Sequence, residues 1–385
     1  WEQAWANMPP KRSRMYYTLG GEGSRQKFRV DPEGDIRLYE NFIRRVPGKD
    51  TPRLGWEGTE LRFSFGFPAV EPVHRAILED YLPVIRTVWA ADGVSYEQEV
   101  FACWLSGDPP SERMQGDDPL VAMVRICLTN LSGEDRTVTL PLRAVIDGET
   151  VDELHEQDGL VFSSAGPLRL LWDANGAGRL QPDSDGLAYV LDLPPGRAHS
   201  LFVKIPHINL TEPLEIALLR GLSYDAEKER AAAFWRARTA QGAQIQTPNQ
   251  TLNNFYRTHL MHMLVINDRE PGSDRNVARC GGFFYGSFPD EGCMVIDDLD
   301  RRGYTREAER CLDLYVHYQG TVPLPGNFQS SEGVFYGGGG YEVAGYNRNH
   351  GWVLWMLAQH YRYTRDRAWL ERVAGALVKG CDWII

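Results

Sequence analysis

Residues 348–363, RNHGWVLWMLAQHYRY, are followed after Asp366 by RAWLERVAGALVKGCDWII, residues 367–385, and the contrast between the two decides the fold. The first carries Trp352, Val353, Leu354, Trp355, Met356, Leu357 and Ala358 almost without interruption. A helix apolar on every side is expected to be buried on every side. The second places Leu370, Val373, Ala374, Leu377 and Cys381 on one stripe, as a helix with one face in water does. A buried helix followed by an amphipathic one is what a double ring of helices produces, inner then outer.

The same period runs back to Thr251. Leu252, Phe255, Tyr256, His259, Leu260 and Met263 predict a one-sided stripe to be buried, and further helices are expected from Asp290 to Gly303 and from Thr305, as cap, to Gly320. Ser223, with Asp225 in the first turn, opens a connecting helix that Gly242 ends. Its run Glu227-Lys228-Glu229-Arg230 reads as surface pairs, Asp225 with Lys228 and Glu227 with Arg230. Asp297, Asp298 and Asp300, beside Arg301 and Arg302, read as a solvated helix end.

Upstream the period is two. Residues 60–67, 94–105, 120–131, 136–145, 167–172, 187–193 and 200–205 read as short strands with turn clusters between them, which predicts an antiparallel sandwich. The expected division is a β-sandwich over 1–222, a linker helix over 223–245 and the first helices of a helical toroid over 246–385. The last helix is still running at Ile385 without a C-cap, so the sequence reads as a fragment whose ring is not closed.

The chain has 385 residues, 41 Lys and Arg against 52 Asp and Glu, and a net charge of −11, which argues against a nucleic-acid partner. No apolar run reaches the roughly 18 residues of a membrane helix. The 6 cysteines form no Cys-x-x-Cys pair, and His259 with His262 lacks a third ligand, so neither metal nor cofactor is expected. Compartment and oligomeric state are not legible.

Two stretches carry a family likeness. Tyr285-Gly286-Ser287-Phe288-Pro289-Asp290-Glu291 is followed by Asp298-Leu299 and by Gly303-Tyr304-Thr305-Arg306-Glu307-Ala308, and Tyr361-Arg362-Tyr363-Thr364-Arg365-Asp366 leads to Trp369-Leu370 and Cys381-Asp382-Trp383. With a sandwich, a connecting helix and helical hairpins, this resembles the six-hairpin (α/α)6-barrel glycosidases, the glucoamylase-like and α-L-rhamnosidase-like superfamily. In place of the family's Trp-Pro-Arg-Asp turn this chain has Phe288 in the aromatic slot and Glu291 after Asp290. The resemblance implies an inverting glycoside hydrolase with a carbohydrate substrate. It implies that Asp290 binds sugar hydroxyls. On the rhamnosidase-like pattern Glu291 is the general acid; on the glucoamylase-like pattern acid and base both lie beyond Ile385.

The residues themselves point to the same places. Glycoside hydrolysis uses two carboxylates flanking the scissile bond, and Asp290 and Glu291 stand at a predicted helix start after an aromatic run. An acid there also stabilises the helix end by about 0.3–1 kcal/mol, so capping is the competing reading. The loop from Gly320 to Tyr346 holds Glu332, Glu342, Phe328, Phe335, Tyr336 and Tyr341, and long aromatic-rich loops in compact domains are usually functional. Its acids and aromatics are expected on the same rim as Asp290 and Glu291. Asn347 and His350 follow at the next helix start, and with Tyr346 they also suit a polysaccharide lyase. A disaccharide phosphorylase and a non-catalytic carbohydrate-binding protein complete the alternatives.

Overall fold

The structure, a computed structural model, describes residues 3, 15–40, 53–107, 115–282, 286–321, 324, 326–335 and 346–385. Its first part is a sandwich of two eight-stranded antiparallel sheets. The strands are Tyr17–Gly20 (β1), Lys27–Val30 (β2), Ile36–Tyr39 (β3), Glu60–Ser64 (β4), His74–Leu78 (β5), Leu82–Ala91 (β6), Val94–Trp104 (β7) and Leu120–Asn130 (β8). They continue with Arg136–Ile146 (β9), Thr150–Asp152 (β10), Leu154–Gln157 (β11), Leu160–Ser163 (β12), Leu168–Asp173 (β13), Arg179–Asp183 (β14), Gly186–Leu193 (β15) and Ala198–Pro206 (β16). One sheet runs β1-β2-β3-β4-β9-β15-β14 with β10 beside β9, and the other runs β11-β12-β13-β16-β8-β7-β6-β5. Leu19, Phe28, Phe63, Val100, Val124 and Leu142 fill the space between them.

The second sheet is covered on its outer face as well. Helices Pro213–Gly221 (α1) and Tyr224–Thr239 (α2) lie against it, and Leu219, Leu222 and Tyr224 pack on Val84, Phe101 and Met123. That is why Leu120 to Val124 are all buried although the rest of β8 alternates. The sequence reading missed α1, whose start is marked by Pro213 and by the reciprocal Glu212–Glu215 capping box. It also took the charges of α2 for surface pairs. Glu227 does bond Arg230, but Lys228 reaches the sheet instead, 2.7 Å from Glu99, which also accepts from the Tyr224 hydroxyl at 2.9 Å.

Beyond α2, which serves as the connection, the second part has among the described residues five further helices and the short hairpin Asp268–Arg269 (β17) and Asn276–Val277 (β18). The helices are Gln250–Ile266 (α3), Pro289–Arg301 (α4), Thr305–His317 (α5), Tyr346–Thr364 (α6) and Arg367–Ile384 (α7). Three contacts at matched heights show that α4 and α6 lie side by side in the same direction. Asp290 pairs with Arg348 at one end, and Asp300 with His360 and Asp297 with the Tyr363 hydroxyl at the other. Each is followed by an antiparallel partner, α5 and α7, so those two are also parallel and meet through Arg372 with Glu309 and Asp313. This alternation is the one expected of successive inner and outer helices.

Three helical expectations are corrected. The α3 stripe is rotated: Phe255 is 64% exposed and Leu252 and His259 lie outward, while Leu260, Met261, Leu264 and Val265 are buried. The chain offers apolar residues on two faces of α3, and the face against β1 is the one covered; Tyr17 of β1 meets His262 there. Helix α6 is not buried all round, since Val353, Met356, Leu357 and His360 face the core but Trp355 is 40% exposed. Asp300 is not part of a solvated helix end; it is buried with both oxygens within 3.0 Å of His360 Nδ1.

His207, just past β16, lies edge-on to Phe28 and Trp56 inside the sandwich. Burial, helped by the nearby Lys27 charge, lowers its pKa to about 3. The unfolded chain therefore binds a proton below about pH 6.5 that the folded chain refuses, and stability falls as pH drops through that value towards 3. Between pH 7 and 5.5 this group alone should remove about 1 kcal/mol. In urea titrations at the two pH values His207→Phe should lose correspondingly less than wild type; equal losses would show that His207 is protonated in the fold.

Candidate functional site

The N-terminal ends of α4 and α6 form one rim. Pro289 fixes the first turn of α4, and Phe288, half-buried, stands at its N-cap. Asp290 is only 7% exposed. Its Oδ2 lies 2.7 Å from Arg348 Nε, while its buried Oδ1 has no hydrogen-bond partner among the described residues. A buried carboxylate oxygen without a donor costs on the order of 1–3 kcal/mol, and a hydroxyl arriving from outside would remove that cost. Glu291 is half-buried beside it and accepts a hydrogen bond from the Cys280 thiol. Burial, then the Glu291 charge, pushes the Cys280 pKa up to about 12, so this sulfur stays a donor and is no nucleophile.

The described part of the long loop reaches the same end of the helices. Gly320 N–H donates to Val334 O at 3.0 Å, and Gln319 Nε2 donates to Gly333 O and to Ala376 O of α7. Gly333, at φ +93°, is required because a Cβ there would run into the Lys379 carbonyl. The loop then crosses His350. Phe335 N–H donates to His350 Nδ1 at 3.0 Å, which leaves the proton on Nε2 to donate to Gly380 O at 2.9 Å. Burial lowers the pKa of this imidazole, in keeping with a neutral ring.

An open cleft of about 870 Å³ lies beside that crossing, lined among others by Phe328, Trp383, Glu332, Lys379 and Asp382. The Phe328 and Trp383 rings are 5.8 Å apart, and Trp383 Nε1 is fixed by Ser330 O at 2.7 Å. Glu332 is 77% exposed and 3.4 Å from Lys379. The cleft therefore offers flat apolar faces next to carboxylates, which suits a polyhydroxylated ring.

Of the residues singled out in sequence, the structure brings Asp290, Glu291 and Phe288 together at the start of α4 and puts Glu332 and His350 around the neighbouring cleft. His350 serves as a pin, both nitrogens being spent on backbone groups, so it has no ring nitrogen to offer a ligand. Tyr341 and Glu342 lie outside the described residues, as does the side chain of Asn347. Sequence reasoning missed Arg348 and the cleft acid Asp382. Arg348 carried a signal: a cation in the first turn opposes the helix dipole, and here the Asp290 carboxylate compensates it.

No family model and no curated protein matches this chain. Among solved structures it is similar over most of its length to the family GH92 alpha-mannosidase of Bacteroides thetaiotaomicron. The TM-score is 0.34 at 11% identity, over 91% of this chain and 55% of that one. The complex of that enzyme with mannoimidazole gives 0.30 at 11% identity, over 78% and 46%. The chain thus spans about half the length of the structures it matches. At these values the likeness assigns no role to any residue.

The His350 pin generates a direct expectation. His350→Ala removes two buried hydrogen bonds and a ring packed on Phe335 and Trp383, and should cost roughly 2–4 kcal/mol. Limited proteolysis should then cut within residues 326–335 at protease levels that leave wild type whole. An uncut loop and an unchanged denaturation midpoint would show that His350 does not hold it.

Proposed function

We propose that the rim at the start of α4 and α6 binds a carbohydrate and that the chain belongs to a glycoside hydrolase, working by inversion with paired carboxylates. The observation that carries this reading is Asp290 Oδ1, buried at the rim and lacking a donor among the described residues, which a sugar hydroxyl would supply. Glu291 is the proposed proton donor to the leaving oxygen, and Phe288 and the Phe328–Trp383 pair are the proposed sugar platforms. Glu332 and the undescribed Glu342, Tyr341 and Asn347 complete the proposed contacts.

Hydrolysis is preferred to lysis on one ground. A lyase would need His350 or a neighbour to move a proton, and both His350 nitrogens are held by backbone groups. A carbohydrate-binding protein without turnover would use the same rim, and the same variants separate the two.

The test uses aryl glycosides of graded leaving-group acidity on the enzyme that contains this chain. Glu291→Gln should lower turnover on poor leaving groups by on the order of 10²–10⁴-fold, and substrates whose leaving group needs no proton should recover most of it. An equal loss on all substrates would remove Glu291 from the acid role. Asp290→Asn, by contrast, should raise KM with little change in the leaving-group dependence.

A further inference from the structure

The rim is reached from α3 through a loop that is linked by hydrogen bonds to a sandwich residue. Lys27, the first residue of β2, is buried and donates to Ser24 O at 2.9 Å and to Asp268 Oδ1. Asp268, fully buried on β17, holds Arg279 through its other oxygen, with Nη1 2.6 Å from Oδ2. Arg279 in turn donates from Nη2 to Gly282 O at 3.1 Å. The far side of the same loop is tied back where Ser287 Oγ donates to Ala278 O at 3.1 Å, and Asp290 follows three residues later. Lys27 itself is fixed in place. Gln26 Oε1 accepts from Leu120 N–H at 2.8 Å, and Arg25 bonds Asp117.

From this chain of bonds we infer that Lys27 is a positioning residue of the rim: through Asp268 and Arg279 it sets the loop that carries Cys280 and delivers Asp290 and Glu291. The inference rests on the reading of the rim as a sugar site, but the coupling has its own readout. Lys27, Arg279 and Asp268 together carry one positive charge, so removing the lysine leaves a neutral Asp268–Arg279 pair and the fold is retained. With the ammonium gone, the carboxylate draws the guanidinium towards both oxygens, the geometry that Arg–carboxylate pairs favour, and Nη2 moves away from Gly282 O. Residues 280–282 are then released and the Cys280–Glu291 bond with them.

The ammonium can also be removed by pH. Burial, against the Asp268 attraction and with repulsion from Arg279 and Arg25, lowers the Lys27 pKa to about 8, and His207 on the sandwich side is neutral. Wild type should therefore behave like the lysine-free variant in mildly alkaline solution.

The experiment is the alkylation rate of Cys280 by iodoacetamide, read by peptide mass spectrometry with the exposed Cys381 as internal standard. At pH 7 Lys27→Met should raise the normalised rate about tenfold over wild type. By pH 9 the ratio of variant to wild type should fall towards one, because wild type has lost the same charge. Arg279→Lys, which keeps a charge on Asp268 but cannot span to Gly282 O, should give the same rise at pH 7 and serves if the first variant fails to fold. A ratio of one at pH 7 for the folded variants, or a ratio that does not change with pH for Lys27→Met, overturns the coupling. A titration with whichever sugar wild type binds completes the test, Lys27→Met being expected to weaken it about tenfold. Raised Cys280 reactivity with unchanged sugar affinity upholds the coupling and overturns the placing of sugar at this rim.

Discussion

One fully buried carboxylate joins the two halves of this molecule. Asp268 follows α3 directly, at a depth where an unpaired charge costs several kcal/mol. Its pKa is nonetheless held low, because the Lys27 and Arg279 charges outweigh the burial that would raise it. One cation comes from the sandwich and the other from the loop before α4, so the acid is satisfied only when sandwich, hairpin and loop are all in place. Apolar packing would allow the sandwich and the helices to settle in several relative positions. A three-way charged contact in a dry interface allows few.

That constraint reaches the rim by short steps. The loop fixed by Arg279 ends at Pro289, where α4 begins with Asp290 and Glu291 in its first turn. Because α6 runs parallel to α4, its first turn arrives at the same place and supplies Arg348. The loop between α5 and α6 is then drawn to this end by His350. Acids, a cation and aromatic faces collect here through the order of the helices, and the same order would admit other chemistries. The buried Asp290 oxygen without a donor among the described residues is what favours a polyhydroxylated ligand.

The sandwich and the helices were legible because their periods differ, and the strands from Glu60 to Phe67 and from Val94 to Leu105 stand close to where alternation put them. The errors have a common cause. Periodicity says which residues share a face and not which face another element will cover, so α3 was turned and α6 was read as buried all round. Asp300 and Lys228 were read as surface groups for the same reason, since their partners His360 and Glu99 are 60 and 129 residues away. The helix starts that carry Asp290 and His350 were found from the sequence. Their partners were not, because no local pattern links Arg348 to Asp290 or Lys27 to Asp268.

The most direct test of the central claim is where a sugar sits. A crystal of this chain soaked with a glycan that it binds should show a sugar hydroxyl within hydrogen-bond distance of Asp290 Oδ1, with the ring extending towards Phe288 or the Phe328–Trp383 pair. A glycan bound only on the sandwich, or at the opposite end of α4 and α6, would contradict the account.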